Sequence, residues 1–236
     1  FTKSFHVVLG WNKMLSRNLR FKAETYYQYL FNIPVEVRPS SFSMVNTGAG
    51  FSRFFPGKLE NTGTAYNYGV EFTLEKFFSN NYFFMVTTSL YQSKYDGSNG
   101  KIYDTDFNGN YIINVLATKE FPTSPNSSLG IGGKVTTAGG RRYGDVDTVL
   151  TVKQEEIVWL DNSRNAYQSA PYFRADLRLT YKINRKKVTH EIAFDLINVT
   201  DQENFLSYTY APNAKDYYIV TPQLGFLPIF YYKLDF

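Results

Sequence analysis

The sequence predicts an all-β protein, specifically a transmembrane antiparallel β-barrel, and three observations lead there. Apolar and polar residues alternate with period two over long runs, and period 3.6 is almost absent. The connections between those runs alternate short and long. Aromatic residues make up 18% of the 236 residues, about twice what average usage gives.

Nine strands are expected, near 3–12, 18–32, 65–77, 82–95, 109–121, 128–139, 171–184, 187–199 and 222–236. In the second, Leu19, Phe21, Ala23, Tyr27, Tyr29 and Phe31 oppose Arg20, Lys22, Glu24, Tyr26 and Gln28. The third sets Tyr68, Val70, Phe72 and Leu74 against Glu71, Thr73 and Glu75. The fourth and fifth are apolar on both faces in places. The seventh alternates most clearly: Phe173, Ala175, Leu177, Leu179, Tyr181 and Ile183 against Arg174, Asp176, Arg178, Thr180 and Lys182. Successive strand residues point to opposite faces, so each such strand has one apolar and one charged side. In the last strand Leu224, Phe226, Phe230, Tyr232, Leu234 and Phe236 are expected to share the apolar face.

Short connections are expected at Asn12–Arg17, Phe78–Asn81, Pro122–Ser127 and Arg185–Lys186, and long ones at 33–64, 96–108, 140–170 and 200–221. Outer-membrane barrels place short turns in the periplasm and long loops outside. Several expected strands exceed the roughly 9–11 residues that cross a membrane at a tilt. A soluble all-β protein with an aromatic core is the competing architecture, and it gives no reason for every long loop to fall at one end. Running back from Phe236, each long loop falls outside and each short turn inside. Nine is odd, whereas single-chain bacterial barrels are even-numbered, and an open sheet edge cannot stand in lipid. The whole of 1–236 is therefore expected to be the C-terminal portion of a larger barrel. The opening Phe1, without Met or signal-like segment, fits a processed product, a cut chain or part of a longer one.

Composition narrows function by exclusion. Cysteine is absent and only His6 and His190 are present, so thiol chemistry is ruled out and little remains for zinc or acid–base work. No G-x-S-x-G elbow occurs. No enzyme is expected. Net charge is +4, and the basic clusters Arg141-Arg142 and Arg185-Lys186-Lys187 sit at turns, too dilute for a nucleic-acid partner. Mean hydropathy is −0.33, and no apolar run approaches the ~18 residues of a membrane helix.

Several stretches are candidates for chemistry or contact. Asp104-Thr-Asp106-Phe-Asn108-Gly109 opens like a calcium loop, D-x-D-x-N-G, but the closing Glu position is Val115. A polar turn is the plainer reading and no cofactor is expected. Gly139-Gly-Arg141-Arg142-Tyr143 leaves a strand at its outer end; its guanidinium pair suits an anionic ligand, or braces Asp145 and Asp147. Tyr208, Tyr210 and Tyr217 in the last long loop, beside Tyr218, can stack on sugar rings, grip a peptide, pack the loop or meet a partner protein. Arg174, Asp176, Arg178, Glu191 and Asp195 are expected to face the lumen from adjacent strands, their opposite charges stabilising the wall. The sequons at Asn126 and Asn198 are chance matches in a bacterial barrel.

In its motifs and their order the chain resembles the TonB-dependent outer-membrane receptors, in the form common among Bacteroidota. The carriers are Ala23-Glu-Thr-Tyr-Tyr-Gln28, Ile33-Pro-Val35, Tyr68-Gly-Val-Glu71, Ser89-Leu-Tyr-Gln-Ser-Lys-Tyr-Asp-Gly97 and Asp106-Phe-Asn-Gly-Asn-Tyr111. They continue through Gly139-Gly-Arg-Arg-Tyr143, Tyr172-Phe-Arg-Ala-Asp-Leu177, Asn198-Val-Thr200 and the closing strand. The resemblance implies a 22-stranded barrel, of which these would be strands 14 to 22, in the outer membrane and surrounded by its lipid. It implies import of a bulky nutrient such as a glycan, peptide or metal chelate, with TonB engaged through an N-terminal region and a plug that this chain does not contain. The final Phe236 resembles the signal read by the barrel-insertion machinery, and a surface lipoprotein often caps such a mouth. A receptor-like barrel serving as a structural subunit of an outer-membrane assembly is the alternative, and a plugless diffusion porin a weaker one.

Overall fold

The computed structural model describes residues 1–47 and 56–236. Its strands are β1 (Lys3–Ser16), β2 (Leu19–Glu36), β3 (Leu59–Ser79), β4 (Tyr82–Asp96), β5 (Ile102–Asp104), β6 (Tyr111–Ser124) and β7 (Ser127–Ala138). Then come β8 (Arg142–Tyr143), helix α1 (Thr148–Gln154), β9 (Tyr167–Gln168), β10 (Tyr172–Asn184) and β11 (Thr189–Ile197). A hairpin of β12 (Phe205–Tyr210) and β13 (Tyr218–Pro222) precedes β14 (Leu227–Asp235). One antiparallel sheet runs in the order β1-β2-β3-β4-β6-β7-β10-β11-β14, with β5 added to β4. Each strand pairs with the next long strand in sequence, an up-and-down meander. β1 and β14 are the two ends of that order.

Register decides which side chains share a face. Val7, Tyr27 and Tyr68 lie in one row, and Trp11, Ala23, Phe72 and Thr88 in another. Further along, Ile131, Leu179, Phe194 and Phe230 continue the same face. This side is apolar and uncovered: Leu9 is 73% exposed, Trp11 55% and Phe230 67%. An apolar surface of that extent is the mark of contact with lipid or with another protein. The opposite face carries Arg20 with Glu75, Lys22 with Glu24, and Lys134 beside Asp176. Alternation therefore produces an apolar wall and a polar wall from one layer of sheet.

The two ends of the sheet differ. At one end the turns are tight: Asn80 and Asn81, with φ of 52° and 62°, join β3 to β4. Two positive-φ residues in a two-residue loop fit a type I′ turn, whose twist matches the strands. At the other end, long connections follow β2, β4, β7 and β11. The buried apolar cluster lies there, where Ile33, Ala65, Tyr95 and Tyr103 meet beneath Leu30, Met44 and Val45. A single sheet has no second layer to pack on, so among the described residues the one apolar cluster forms where loops fold back, and mid-sheet burial of an apolar side chain is confined to the small Ala193.

Several expected boundaries need correction. β1 continues through Asn12 to Ser16, so the expected turn Asn12–Arg17 shrinks to Arg17 and Asn18. β2 and β3 extend into the expected loop 33–64, of which residues 48–55 lie outside the described residues. The strand expected at 222–236 is interrupted. Gln223 donates its N–H to the Asn204 carbonyl, and Phe226 donates to Asp201 Oδ1 at 2.7 Å. These bonds divert the chain, so Leu224 (82% exposed) and Phe226 stand outside β14, and Phe236 follows its last residue.

Candidate functional site

The long connections gather at one end of the sheet around a cleft of about 1610 Å³. Its walls come from residues 36–47, 106–107, 141–164 and 205–210, including Phe42, Arg141, Trp159, Tyr208 and Tyr210. The longest connection, 139–171, has its own small fold. Asp147 caps α1 by accepting from the Leu150 N–H at 3.0 Å, which satisfies an otherwise orphaned donor of the first turn. Glu155 ends the helix with φ of 54°. Buried Thr151 accepts from the Val158 N–H at 3.0 Å, and Val146 bridges to Trp159. These contacts turn the indole of Trp159 toward the next loop.

An aromatic cluster joins that loop to the β12–β13 hairpin. Tyr208 sits at 5.7 Å from Tyr143, 5.3 Å from Trp159, 5.2 Å from Tyr218 and 4.7 Å from Phe205, measured between ring centroids. Tilted and edge-on arrangements at such spacings are favourable aromatic pairs. Of the uses open to Tyr208, its position is that of a packing centre. Burial, with Tyr143 and Tyr218 beside it, pushes the Tyr208 phenol up to about 12. Tyr208 stays protonated in the folded loop after an unfolded tyrosine would ionise, near pH 10. Its contribution is complete below about pH 10 and is lost as pH rises through about 12. We expect the two loops to separate in that alkaline window, seen as rising tyrosinate absorbance together with a shift in Trp159 fluorescence, and Tyr208→Phe to remove that step. Tyr210 lines the cleft instead, and Tyr217 occupies a positive-φ position at the hairpin tip.

A second set of contacts is polar. Arg164 holds both oxygens of Asp106 at 2.9 and 3.1 Å, and Asn165 donates to the same carboxylate at 2.7 Å. Asp104 receives Lys94 at 2.8 Å and lies 3.6 Å from Arg142. Asn108, fully buried, donates to Asp104 Oδ1 at 2.6 Å. The calcium-like stretch Asp104–Asn108 thus has its carboxylates engaged by cations and amides. Among the described residues no three acidic or histidine side chains converge as metal ligands. Arg142 also donates to the Asn108 carbonyl at 3.0 Å and to Asn110 Oδ1 at 2.7 Å. Its brace runs to the 97–110 connection, and Asp145 and Asp147 are not its partners: the Asp147 carboxylate is committed to capping α1. Arg141 is exposed on the cleft wall and forms no ion pair among the described residues.

The remaining loops are tied in by short polar links. Asp161 accepts from Ser41 N–H at 2.8 Å and from Ser41 Oγ at 2.5 Å. Tyr103 donates to the Asp161 carbonyl at 3.0 Å, and Asn46 accepts from the Asp106 N–H at 3.0 Å. Sequence reasoning missed Trp159, Asp161 and Arg164. Trp159 had a signal, as one of two tryptophans and placed in a long loop. For Asp161 and Arg164 no local pattern marks residues whose partners lie 120 and 58 positions away.

On the polar wall, Arg178 lies 3.5 Å from Glu191 and 3.6 Å from Asp195 across β10 and β11. Arg174 pairs within its own strand, with Asp176 at 2.7 Å. Asp176 also accepts from the Asn198 N–H at 2.8 Å, which anchors the start of the last long loop. Lys182, facing Glu191 and Glu120 at 3.8 Å, extends the charged ladder.

The meander, its apolar wall and its clustered loops are the features of an outer-membrane barrel segment. A family model described as TonB dependent receptor-like, beta-barrel matches residues 2–199. This chain belongs to that family. A search of curated proteins finds no match. As a TonB-dependent receptor-like barrel it is an outer-membrane protein of the receptor and transporter kind. Its family works with TonB and is not generally enzymatic. The uncovered apolar wall of this receptor barrel then has its solvent, the lipid of the outer membrane.

Proposed function

We propose that this chain forms the C-terminal nine strands of a 22-stranded TonB-dependent receptor that imports a bulky nutrient, whether glycan, peptide or metal chelate. The observation that carries this is the open cleft, about 1610 Å³ in volume, that the long loops form together at one end of the sheet. Its wall combines aromatic faces at Tyr210 and Trp159 with the exposed cation Arg141, a mixture that can hold a large polar cargo by stacking and by charge. The two ends of the sheet, β1 and β14, need strands to pair with in lipid, which supports a larger closed barrel. In that barrel Arg174, Asp176, Arg178, Glu191 and Asp195 line the lumen and offer a charged ladder to a plug. Phe236 serves the insertion machinery during assembly.

The test is the mass and peptide map of the protein in native outer membrane, joined to uptake with and without TonB. Twenty-two strands at this chain's 27.2 kDa for nine come to about 66 kDa before any plug. A larger mass, plug peptides and uptake that stops when TonB is removed are the expected results. A 27 kDa species alone would mean a split barrel or a different closure, and the transport reading would lose its main support. A full-sized barrel held in a stable assembly without TonB-linked uptake would make it a scaffold.

A further inference from the structure

The apolar wall carries cations close to its short-turn end. Among the described residues its half nearest the short turns carries no carboxylate, yet it does carry Lys13, Lys76, Lys119 and His190. Register places each on the same face as Trp11, Phe21, Phe84 and Tyr232, and each lies within about six residues of a short turn. Lys76 is committed to its turn, donating to the Ser79 and Tyr82 carbonyls at 2.9 and 3.0 Å. His190 bonds the Tyr232 hydroxyl at 2.7 Å. Lys13 and Lys119 are exposed and form no ion pair among the described residues. Lys119 Nζ lies 5.2 Å from the Phe121 ring centroid, a contact that leaves its donors free on the far side. The acids of this end, Glu75, Glu120 and Asp235, are on the polar wall and each faces a cation there.

A cation on a lipid-facing surface is costly unless it reaches the headgroup level, where its charge meets phosphate. We propose that Lys13 and Lys119 form part of a rim that holds the phosphate headgroups of anionic phospholipid in the inner leaflet of the outer membrane. The apolar stems lie against the aromatic rows, and the ammonium groups donate to phosphate oxygens. The inference rests on the short turns facing the periplasm and is independent of the imported cargo.

The test uses the full-length receptor in detergent, with native mass spectrometry reading retained phosphatidylglycerol against phosphatidylcholine. The wild type retains phosphatidylglycerol preferentially. Lys13→Gln and Lys119→Gln each lower that retention about fivefold, the usual weight of one lysine near an anionic surface. Lys13→Arg and Lys119→Arg preserve it, and Lys3→Gln, at the opposite end of β1, leaves it unchanged. Heat-modifiable electrophoretic migration verifies that each variant is folded. Equal retention of the two lipids, or unaltered retention in the double glutamine variant, would overturn the proposal. Lysine-dependent preference for lipopolysaccharide would overturn it too, by placing this end in the outer leaflet.

Discussion

Leu177→Arg should destabilise the barrel by about 2–4 kcal/mol, the cost of an arginine placed on the lipid face near the bilayer midplane. Leu177 is in the middle of β10, between Gly133 of β7 and Leu196 of β11, and 46% of it is uncovered. The matching change on the other wall, Thr73→Arg, should cost about 0.5 kcal/mol or less, as an ordinary surface substitution does. Thr73 lies beside Glu71 and Glu75 on the polar face, opposite a Lys22 that is already paired with Glu24, so a new cation has carboxylate neighbours and water. Urea unfolding of the full-length receptor from lipid vesicles measures both. Equal costs would mean that the two walls are not lipid-facing and lumen-facing, and the membrane reading of the alternation would fall.

Gly139→Ala is expected to release the outer loops from one another while the barrel wall stays folded. A Cβ at Gly139 would lie 1.6 Å from the Gly109 carbonyl oxygen. That neighbour is backbone, so no rotamer change relieves the overlap. Gly139 donates to the Tyr111 carbonyl at 3.0 Å, and Gln168 reaches the Gly109 carbonyl at 3.2 Å. The 97–110 and 139–171 connections are therefore joined through this approach, and overpacking of this kind costs about 1–3 kcal/mol. Limited proteolysis should show new cleavage in both loops, with heat-modifiable migration retained. Gly133→Ala is the control, because its Cβ would meet Leu177 at an ordinary 3.6 Å. If Gly139→Ala resists protease as the wild type does, the close approach does not hold the loops.

The doublet Gly139-Gly140 owes its glycines to close packing and not to a left-handed turn. Neither glycine has a positive φ; each is small because backbone passes within contact of it. Sequence patterns report what a residue's own neighbours along the chain require. A glycine needed for another loop's carbonyl looks the same as one needed for a turn.

The sequence by itself determined the meander: which segments are strands, which of their faces is apolar, and which end bears the long loops. These follow from period-two alternation and connection length, both of which are local, and the pairing of each strand with the next makes register local as well. The family, too, was legible from the order of short motifs along the chain. Only the tertiary structure decided how the loops meet. The end of the last strand turned on Asp201 and Asn204, which capture backbone donors 25 and 19 residues away. The roles of Arg142, Arg164 and Tyr208 depend on partners in other loops, and polar or aromatic residues in a loop carry no periodicity to announce them. Burial at the mouth of this receptor barrel comes from loops folding onto one another, so the residues that shape the mouth are visible only once the chain has folded.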